Sequence, residues 1–433
     1  MTAFCRQTRM TTHFVSAFAL LCLSFAASTA LGGETAVEQT GDGVDLREDS
    51  TFDEDSRSSE TAVAAEELVE AVPAHEHDVP LADAVTTAEG QAEPLLLLGQ
   101  EIPPGTAQRL AWAATELFEG VPVSTPVLVV NGERPGPTLC LTAAVHGDEL
   151  NGIEMVRRVL HDIDPDKLSG RVIGVPIVNV QGFRRGSRYL PDRRDLNRYF
   201  PGNPNGSAAA RIAHALFKDV VAHCDALVDL HTGSFERANL PQIRADLRNP
   251  DVVTLTLGFG SMVVLHSQPT VGTLRHAATL AGIPAVTVEA GGPAQLELAE
   301  VKHGVKGIET LLTTLGMVKK RRRWGDHPEP VYYRSSWVRA DNGGILLADV
   351  SLGSTVRKGD LLGTITDPMS NARSELRSPY SGRIIGMARN QVVMPGFAAF
   401  HVGIQAEDVV SEEAVSDVPR HDDAGGYVDG MSE

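Results

Sequence analysis

The chain is short of cysteine, of clustered positive charge and of long apolar runs, and each shortage removes a class of protein. Its 433 residues hold four cysteines, of which Cys5 and Cys22 fall in the first 30 positions. The other two, Cys140 and Cys224, cannot build a disulfide scaffold in a chain of this length, and no Cys-x-x-Cys spacing suits a structural zinc site. Each sits in or beside an apolar run, so burial as a free thiol is expected, with pairing as the alternative. The only basic cluster, Lys319–Arg323, lies where a domain junction is expected and reads as a solvated linker, so nucleic-acid binding is excluded. After the first 30 residues no segment is long and apolar enough to cross a bilayer.

The start and end of the chain differ from its middle. Arg6 and Arg9 precede an apolar run from Phe14 to Ala27, followed by the small residues Ser28, Thr29 and Ala30. This pattern predicts a signal peptide, residues 1–30, cleaved after Ala30; the run is short for a membrane anchor. A periplasmic or secreted mature protein follows, with no stable membrane insertion once the signal is removed. The formal charge of −18 belongs to the ends. Residues 33–93 carry 18 acidic side chains against Arg47 and Arg57, and residues 407–433 carry nine against Arg420, so 94–406 is left with a small positive surplus. Segment 31–93, rich in Glu, Ala, Thr and Asp, is expected to be a disordered spacer with a short helix around 61–72; residues 408–433 form a second acidic tail.

From Leu95 onward, strand and helix patterns alternate. Apolar runs at 126–130, 138–145, 172–180, 226–230, 263–265 and 285–289 read as strands, and 152–162, 207–221, 270–281 and 294–316 as helices. Such alternation implies an α/β fold whose mixed or parallel sheet is covered by helices on both faces. Sites in such sheets lie beyond the carboxyl ends of the strands. Residues 94–326 form this domain.

Polar residues collect at those strand ends. His146-Gly-Asp-Glu149 follows one strand and precedes a helix, and His231 ends another. Two imidazoles and a carboxylate form a three-ligand set that leaves one position open, the pattern of a catalytic zinc site rather than a structural one. Asp229, two residues before His231, shares its strand face and can fix the tautomer of that ligand. Glu289 ends a third buried strand ahead of two glycines; a carboxylate there is poorly explained by packing and suits a general base acting on a metal-activated water. A loop from Gly186 to Gly202 concentrates arginine, including Arg188 and Arg198, beside Asn197, and can grip a carboxylate. Taken singly, each feature has a plain alternative: a hydrogen-bonded core histidine, a glutamate at a helix start, a surface salt-bridge loop.

As an ordered set, His146-Gly-Asp-Glu149, Asp195-Leu-Asn-Arg198, Asp229-Leu-His231 and Glu289 resemble the succinylglutamate desuccinylase/aspartoacylase family, a branch of the zinc carboxypeptidase-like fold, over residues 94–407. The resemblance implies an amidohydrolase with one Zn2+ per chain, acting on N-acyl amino acids. It assigns His146, Glu149 and His231 as ligands, Glu289 as the base, Asn197 and Arg198 as the grip on a substrate carboxylate, and Arg188 as the group polarising the scissile carbonyl.

Residues 327–407 read as short strands separated by glycines. Their Val-x-x-Gly-x-x-Leu and Ser-Pro-x-x-Gly patterns resemble a biotinyl/lipoyl-type β-sandwich. The hairpin Thr366–Arg373, where a carrier domain would place its modified lysine, has none, which excludes a swinging arm; the expected roles are shaping the active-site mouth or mediating a homo-oligomer. The leading function is therefore deacylation of a small N-acyl amino acid or related substrate. The alternatives are a zinc carboxypeptidase trimming envelope peptides and a non-catalytic envelope binding protein on the same fold.

Overall fold

The structure is a computed structural model that describes residues 92–118, 121–319, 329–389 and 391–404. The predicted signal peptide, the helix expected at 61–72, nearly all of the 31–93 spacer and the 408–433 tail lie outside the described residues. In chain order, the short strands β1 (Leu95–Leu97) and β2 (Gln100–Ile102) pair with each other. They precede β3 (Thr106–Phe118), β4 (Val121–Asn131), β5 (Arg134–Ala143), helix α1 (Asn151–Asp162) and β6 (Ser169–Val175). Next come α2 (Val180–Arg184), α3 (Ala208–Asp219), β7 (Ala226–His231), β8 (Arg237–Ala245) and α4 (Pro250–Leu257). The α/β part closes with β9 (Val263–His266), α5 (Leu274–Leu280), β10 (Ala285–Gly291) and α6 (Leu298–Thr314).

The centre of the sheet is parallel, in the order β6-β5-β7-β10, with β4 and β3 added antiparallel on one side and β8 antiparallel to β10 on the other. This is the mixed α/β sheet the alternation implied. Period-2 alternation along β7 sends Ala226, Val228 and Leu230 into one core and Leu227 into the other. Asp229 and His231 fall on the Leu227 side by the same alternation. Helices α1 and α6 cover the first face through Met155, Val156, Val301 and Ile308; α3 and α5 cover the second through Ile212, Leu216, Leu274 and Ala277. Helix starts follow from local chemistry. Ser207 Oγ accepts from Ala210 N–H at the head of α3, Thr273 Oγ1 from His276 N–H at α5, and Asn249 Oδ1 from Asp251 N–H at α4, where Pro250 takes the first helical position.

Two expectations are corrected. The strand expected over 172–180 stops at Val175, because Pro176 cannot donate to a ladder and Asn179 caps α2 by accepting from Gly182 N–H. Cys140 and Cys224, expected as free thiols, form a disulfide. Strands β5 and β7 are adjacent, with Leu139 opposite Ala226, and this brings Cys224, just ahead of β7, to a Cα–Cα distance of 5.8 Å from Cys140.

The C-terminal region is all-β: β11 (Val331–Tyr332), β12 (Ser335–Arg339), β13 (Gly344–Ala348), β14 (Thr355–Val356), β15 (Leu361–Thr366), β16 (Arg373–Arg377), β17 (Gly382–Ala388), β18 (Gln391–Val393) and β19 (Ala398–Ile404). One sheet, β16-β15-β13-β18, stands apart, while β12, β19 and β17 prolong the main sheet through antiparallel pairing of β17 with β8. Leu346, Leu362, Ile365, Ile384, Phe400 and Val402 form the core these two sheets share. The sheet thus runs without a break across the domain boundary expected at 326/327, and that continuity carries C-terminal side chains to the site.

Candidate metal centre

His146 and Glu149 come from the turn between β5 and α1. The turn begins at Ala144, buried and with φ of 48°, a left-handed conformation that costs a residue with a Cβ about 1 kcal/mol. It is held by Val178 N–H donating to Ala143 O (3.0 Å) and Asn179 N–H to Ala144 O (2.9 Å). Gly147 is required for space: a Cβ there would stand 2.1 Å from the backbone carbon of Gly182. The far end of the turn is tied to the strand bearing Glu289. Asn151 Nδ2 donates to Ala290 O (2.9 Å), and Ala294 N–H donates to Asp148 O (2.8 Å).

The three sequence-predicted ligands converge. His146 Nδ1 lies 2.8 Å from Glu149 Oε1, His231 Nδ1 lies 2.9 Å from Glu149 Oε2, and the two Nδ1 atoms are 3.2 Å apart. All three residues are buried. Glu149 is further fixed by the N–H of Thr232 (3.1 Å). The outward nitrogens are each taken by a carboxylate: His231 Nε2 lies 2.8 Å from Asp229 Oδ2, and His146 Nε2 lies 3.1 Å from Asp195 Oδ1. Thr142 Oγ1 donates to Asp229 Oδ1 (2.7 Å). A carboxylate on Nε2 makes that nitrogen the donor, so in the neutral imidazoles both Nδ1 lone pairs face the same point with Glu149. Donors around a tetrahedral zinc at ordinary bond lengths stand about 3.4 Å apart, close to these separations. The donor set therefore fits a zinc-type divalent cation, and the three ligand atoms lie within 4.8 Å of one another.

The electrostatics point the same way. Burial opposes charge on His231, yet Asp229 and Glu149 push its pKa well above 6.5; His146 is also raised, by Glu149 and Asp195 against burial and Arg188. Burial raises the Glu149 carboxyl, but the two imidazoles hold it far below the usual carboxylate range. Asp195 is held low in the same way, chiefly by His146 and then Arg188. The cluster stabilises positive charge at its centre.

The remaining sequence-predicted residues divide. Asp229 and Arg188 are in the cluster: Arg188 Nη1 reaches within 3.2 Å of His146 Nδ1 and 3.4 Å of Glu149 Oε1, while its Nη2 holds Asp195 Oδ2 at 3.0 Å. Glu289 stands beside His231 in register, and Asn239 Nδ2 donates to its Oε2 (3.0 Å). Asn197 and Arg198 do not line the pocket around the cluster. Asn197 Oδ1 accepts from Leu274 N–H (2.9 Å) and ties the loop to α5, while Arg198 Nη1 donates to Asn197 O (2.8 Å) within the loop.

That pocket is lined by His146, Glu149, His231, Arg188 and Glu289, together with Thr232, Ser234, Arg237, Asn239, Arg244 and Trp337. Sequence reasoning missed these last residues. Thr232 and Ser234 were legible as the continuation of the His231 strand end. Arg237, Asn239 and Arg244 belong to β8, whose pattern is broken by Pro241, and Trp337 comes from the C-terminal strands.

A family model for the succinylglutamate desuccinylase/aspartoacylase catalytic domain matches residues 135–315. The chain is 29% identical over 263 residues to N-alpha-acetyl-L-2,4-diaminobutyric acid deacetylase of Halomonas elongata, a match covering 57% of this chain and 75% of that protein. It is 27% identical over 225 residues to succinylglutamate desuccinylase of Pseudomonas aeruginosa, covering 51% of this chain and 60% of that enzyme's length. Among solved structures, a succinylglutamate desuccinylase from Silicibacter sp. superposes with a TM-score of 0.62 at 25% identity, over 73% of this chain and 99% of its own. The product-bound ectoine utilization protein EutE (DoeB) of Ruegeria pomeroyi, at 24% identity and a TM-score of 0.63 over 73% of this chain and all of its own, shares the fold.

Proposed function

We propose that the protein, whose residues 135–315 match the succinylglutamate desuccinylase/aspartoacylase catalytic domain, is a zinc-dependent amidohydrolase of that family that removes the acyl group from a small N-acyl amino acid, on a zinc carboxypeptidase-like fold. The observation that carries this reading is the convergence of His146 Nδ1, His231 Nδ1 and Glu149 on one point, next to a buried carboxylate that is not needed as a ligand.

His146, Glu149 and His231 would hold the ion. Bound there, a zinc ion supplies Lewis acidity, activating water near neutral pH and polarising the amide carbonyl. Asp195 and Asp229 orient the two imidazoles through Nε2 and keep their Nδ1 lone pairs aimed inward. Glu289, held by Asn239, would take a proton from the attacking water and return it to the leaving amine. Arg188, anchored on Asp195, presents an N–H donor beside the ligand point, where negative charge develops on the former carbonyl oxygen.

Export of the mature chain completes the proposal. The Cys140–Cys224 disulfide supports it, since such bonds persist in oxidising compartments. The test is a screen of N-acylated amino acids and short peptides with released amine as the readout. Turnover of the acylated amino acids supports the deacylase; turnover of the peptides alone points to a carboxypeptidase, and turnover of neither to a binding protein.

A further inference from the structure

Arg237 is set differently from the other arginines of the pocket. Arg188 is engaged by Asp195 and Glu149, and Arg244 lies 3.7 Å from Glu289. Arg237 bonds only to neutral groups, its Nε donating to Ser234 O (3.0 Å) and its Nη2 to Ser234 Oγ (3.5 Å); it has no carboxylate within ion-pair distance among the described residues. Three aromatic rings surround the guanidinium. Its central carbon lies 5.1 Å from the centre of Trp337, 5.7 Å from Phe397 and 5.8 Å from Phe235.

This collar is built at the seam between the α/β sheet and the C-terminal strands. Arg237 opens β8 and pairs with Ala388 of β17. Phe235 and Glu236 are both left-handed, with φ of 54° and 60°, a costly conformation for residues with side chains. It is braced from the C-terminal side: Arg389 N–H (2.9 Å) and Gln391 Nε2 (3.1 Å) both donate to Glu236 O. Trp337 is stacked at 4.5 Å on His401, whose Nε2 is bonded to Ser335 Oγ. The Phe235 ring also lies 5.4 Å from the central guanidinium carbon of Arg188, so it stands between the two arginines. Together the collar and the turn fix a guanidinium without an ion-paired carboxylate in a half-buried, partly dehydrated pocket, where an anion is worth more than in water.

We propose that Arg237, framed by Phe235, Trp337 and Phe397, recognises the free carboxylate of the substrate, and that the C-terminal strands therefore complete the substrate pocket. The inference rests on the deacylase reading above and gives the carboxylate a different partner from Asn197 and Arg198. A planar guanidinium with N–H groups to spare suits a carboxylate through two parallel bonds, and lysine cannot reproduce that fork.

The test compares the best N-acyl amino acid substrate with the same compound carrying a primary amide in place of its carboxylate. For the parent and for Arg237→Met and Arg237→Lys, the quantity read is the ratio of kcat/KM for acid over amide. It is expected to fall about 10- to 100-fold in Arg237→Met, mostly through KM, with partial recovery in Arg237→Lys. An unchanged ratio overturns the proposal, as does equal loss on both compounds, which would mark Arg237 as structural. Calorimetry supplies a readout independent of turnover: the free acyl amino acid should bind the Glu289→Gln protein, and binding should weaken by a similar factor when Arg237→Met is added. If the parent hydrolyses no amide while this binding difference is found, the deacylase reading fails and the role of Arg237 stands. If amides are hydrolysed and the binding difference is absent, Arg237 is not the carboxylate site.

Discussion

His231 and Glu289 stand opposite each other in register on the parallel strands β7 and β10, so a candidate metal ligand and the candidate base are delivered to the same sheet end by adjacent strands. Separate roles for the two residues follow from this pairing. Glu289→Gln keeps the shape and an oxygen that can accept from Asn239, but it cannot take up a proton. Its kcat is expected to fall about 10²- to 10⁴-fold while metal content, measured by atomic absorption, stays at one ion per chain. Parental activity in this variant would remove Glu289 from the mechanism.

Asp195 and Asp229 each hold the outward nitrogen of one imidazole, and Asp195 also anchors Arg188. Asp229→Asn and Asp195→Asn are each expected to weaken metal binding about 10- to 100-fold in competition with a chromophoric chelator. Affinity unchanged in both variants would mean that the carboxylates do not orient the ligands.

Metal binding to the folded state alone must also raise its stability. At a free metal concentration about 1,000 times the dissociation constant the gain is about 4 kcal/mol, or a rise of roughly 10 °C in Tm for a domain of this size. His231→Ala should abolish the difference between chelated and metal-loaded samples in differential scanning calorimetry. A difference that persists in this variant would locate the stabilising ion elsewhere.

The disulfide between Cys140 and Cys224 closes a sequence separation of 84 residues inside the core beneath α3. Replacing both cysteines by serine is expected to lower unfolding stability by roughly 4 kcal/mol in urea titration. Neither cysteine lines the pocket, so kcat measured well below the new Tm should hold within about twofold, the ordinary reach of a distant core change. A loss of metal affinity in this variant would show that the bond also shapes the β5–β7 strand ends.

What the sequence made legible was the part written in one-dimensional patterns. Buried parallel strands read as apolar runs, and the polar residues ending them stood out because burial gave them no other purpose; His146, Glu149, His231, Asp229 and Glu289 were found in this way. The rest depended on contacts between strands distant in the chain. The 237–245 segment was not read as a strand, since Pro241 interrupts it and its Arg237, Asn239, Gln242 and Arg244 hide the apolar alternation. Arg237, Asn239 and Arg244 belong there because β8 borders the pocket. Asp195 lay within a motif, but its bond to His146 spans 49 positions and leaves no local trace. The Asn197–Arg198 pair was expected to grip substrate; its bonds to α5 and to its own backbone could be seen only once the loop was placed. The disulfide was hidden likewise, because the adjacency of β5 and β7 is a property of the sheet order.

The central claim is that this chain hydrolyses an amide bond with a metal held by His146, Glu149 and His231. The most direct measurement is amine release from a panel of N-acyl amino acids by the purified protein, before chelation, after chelation and after zinc is restored, beside the Glu149→Ala variant. Amine release that disappears with chelation, returns with zinc and is absent in Glu149→Ala is the expected result. A protein that holds stoichiometric zinc yet releases no amine, or one whose hydrolysis survives chelation, would contradict the account.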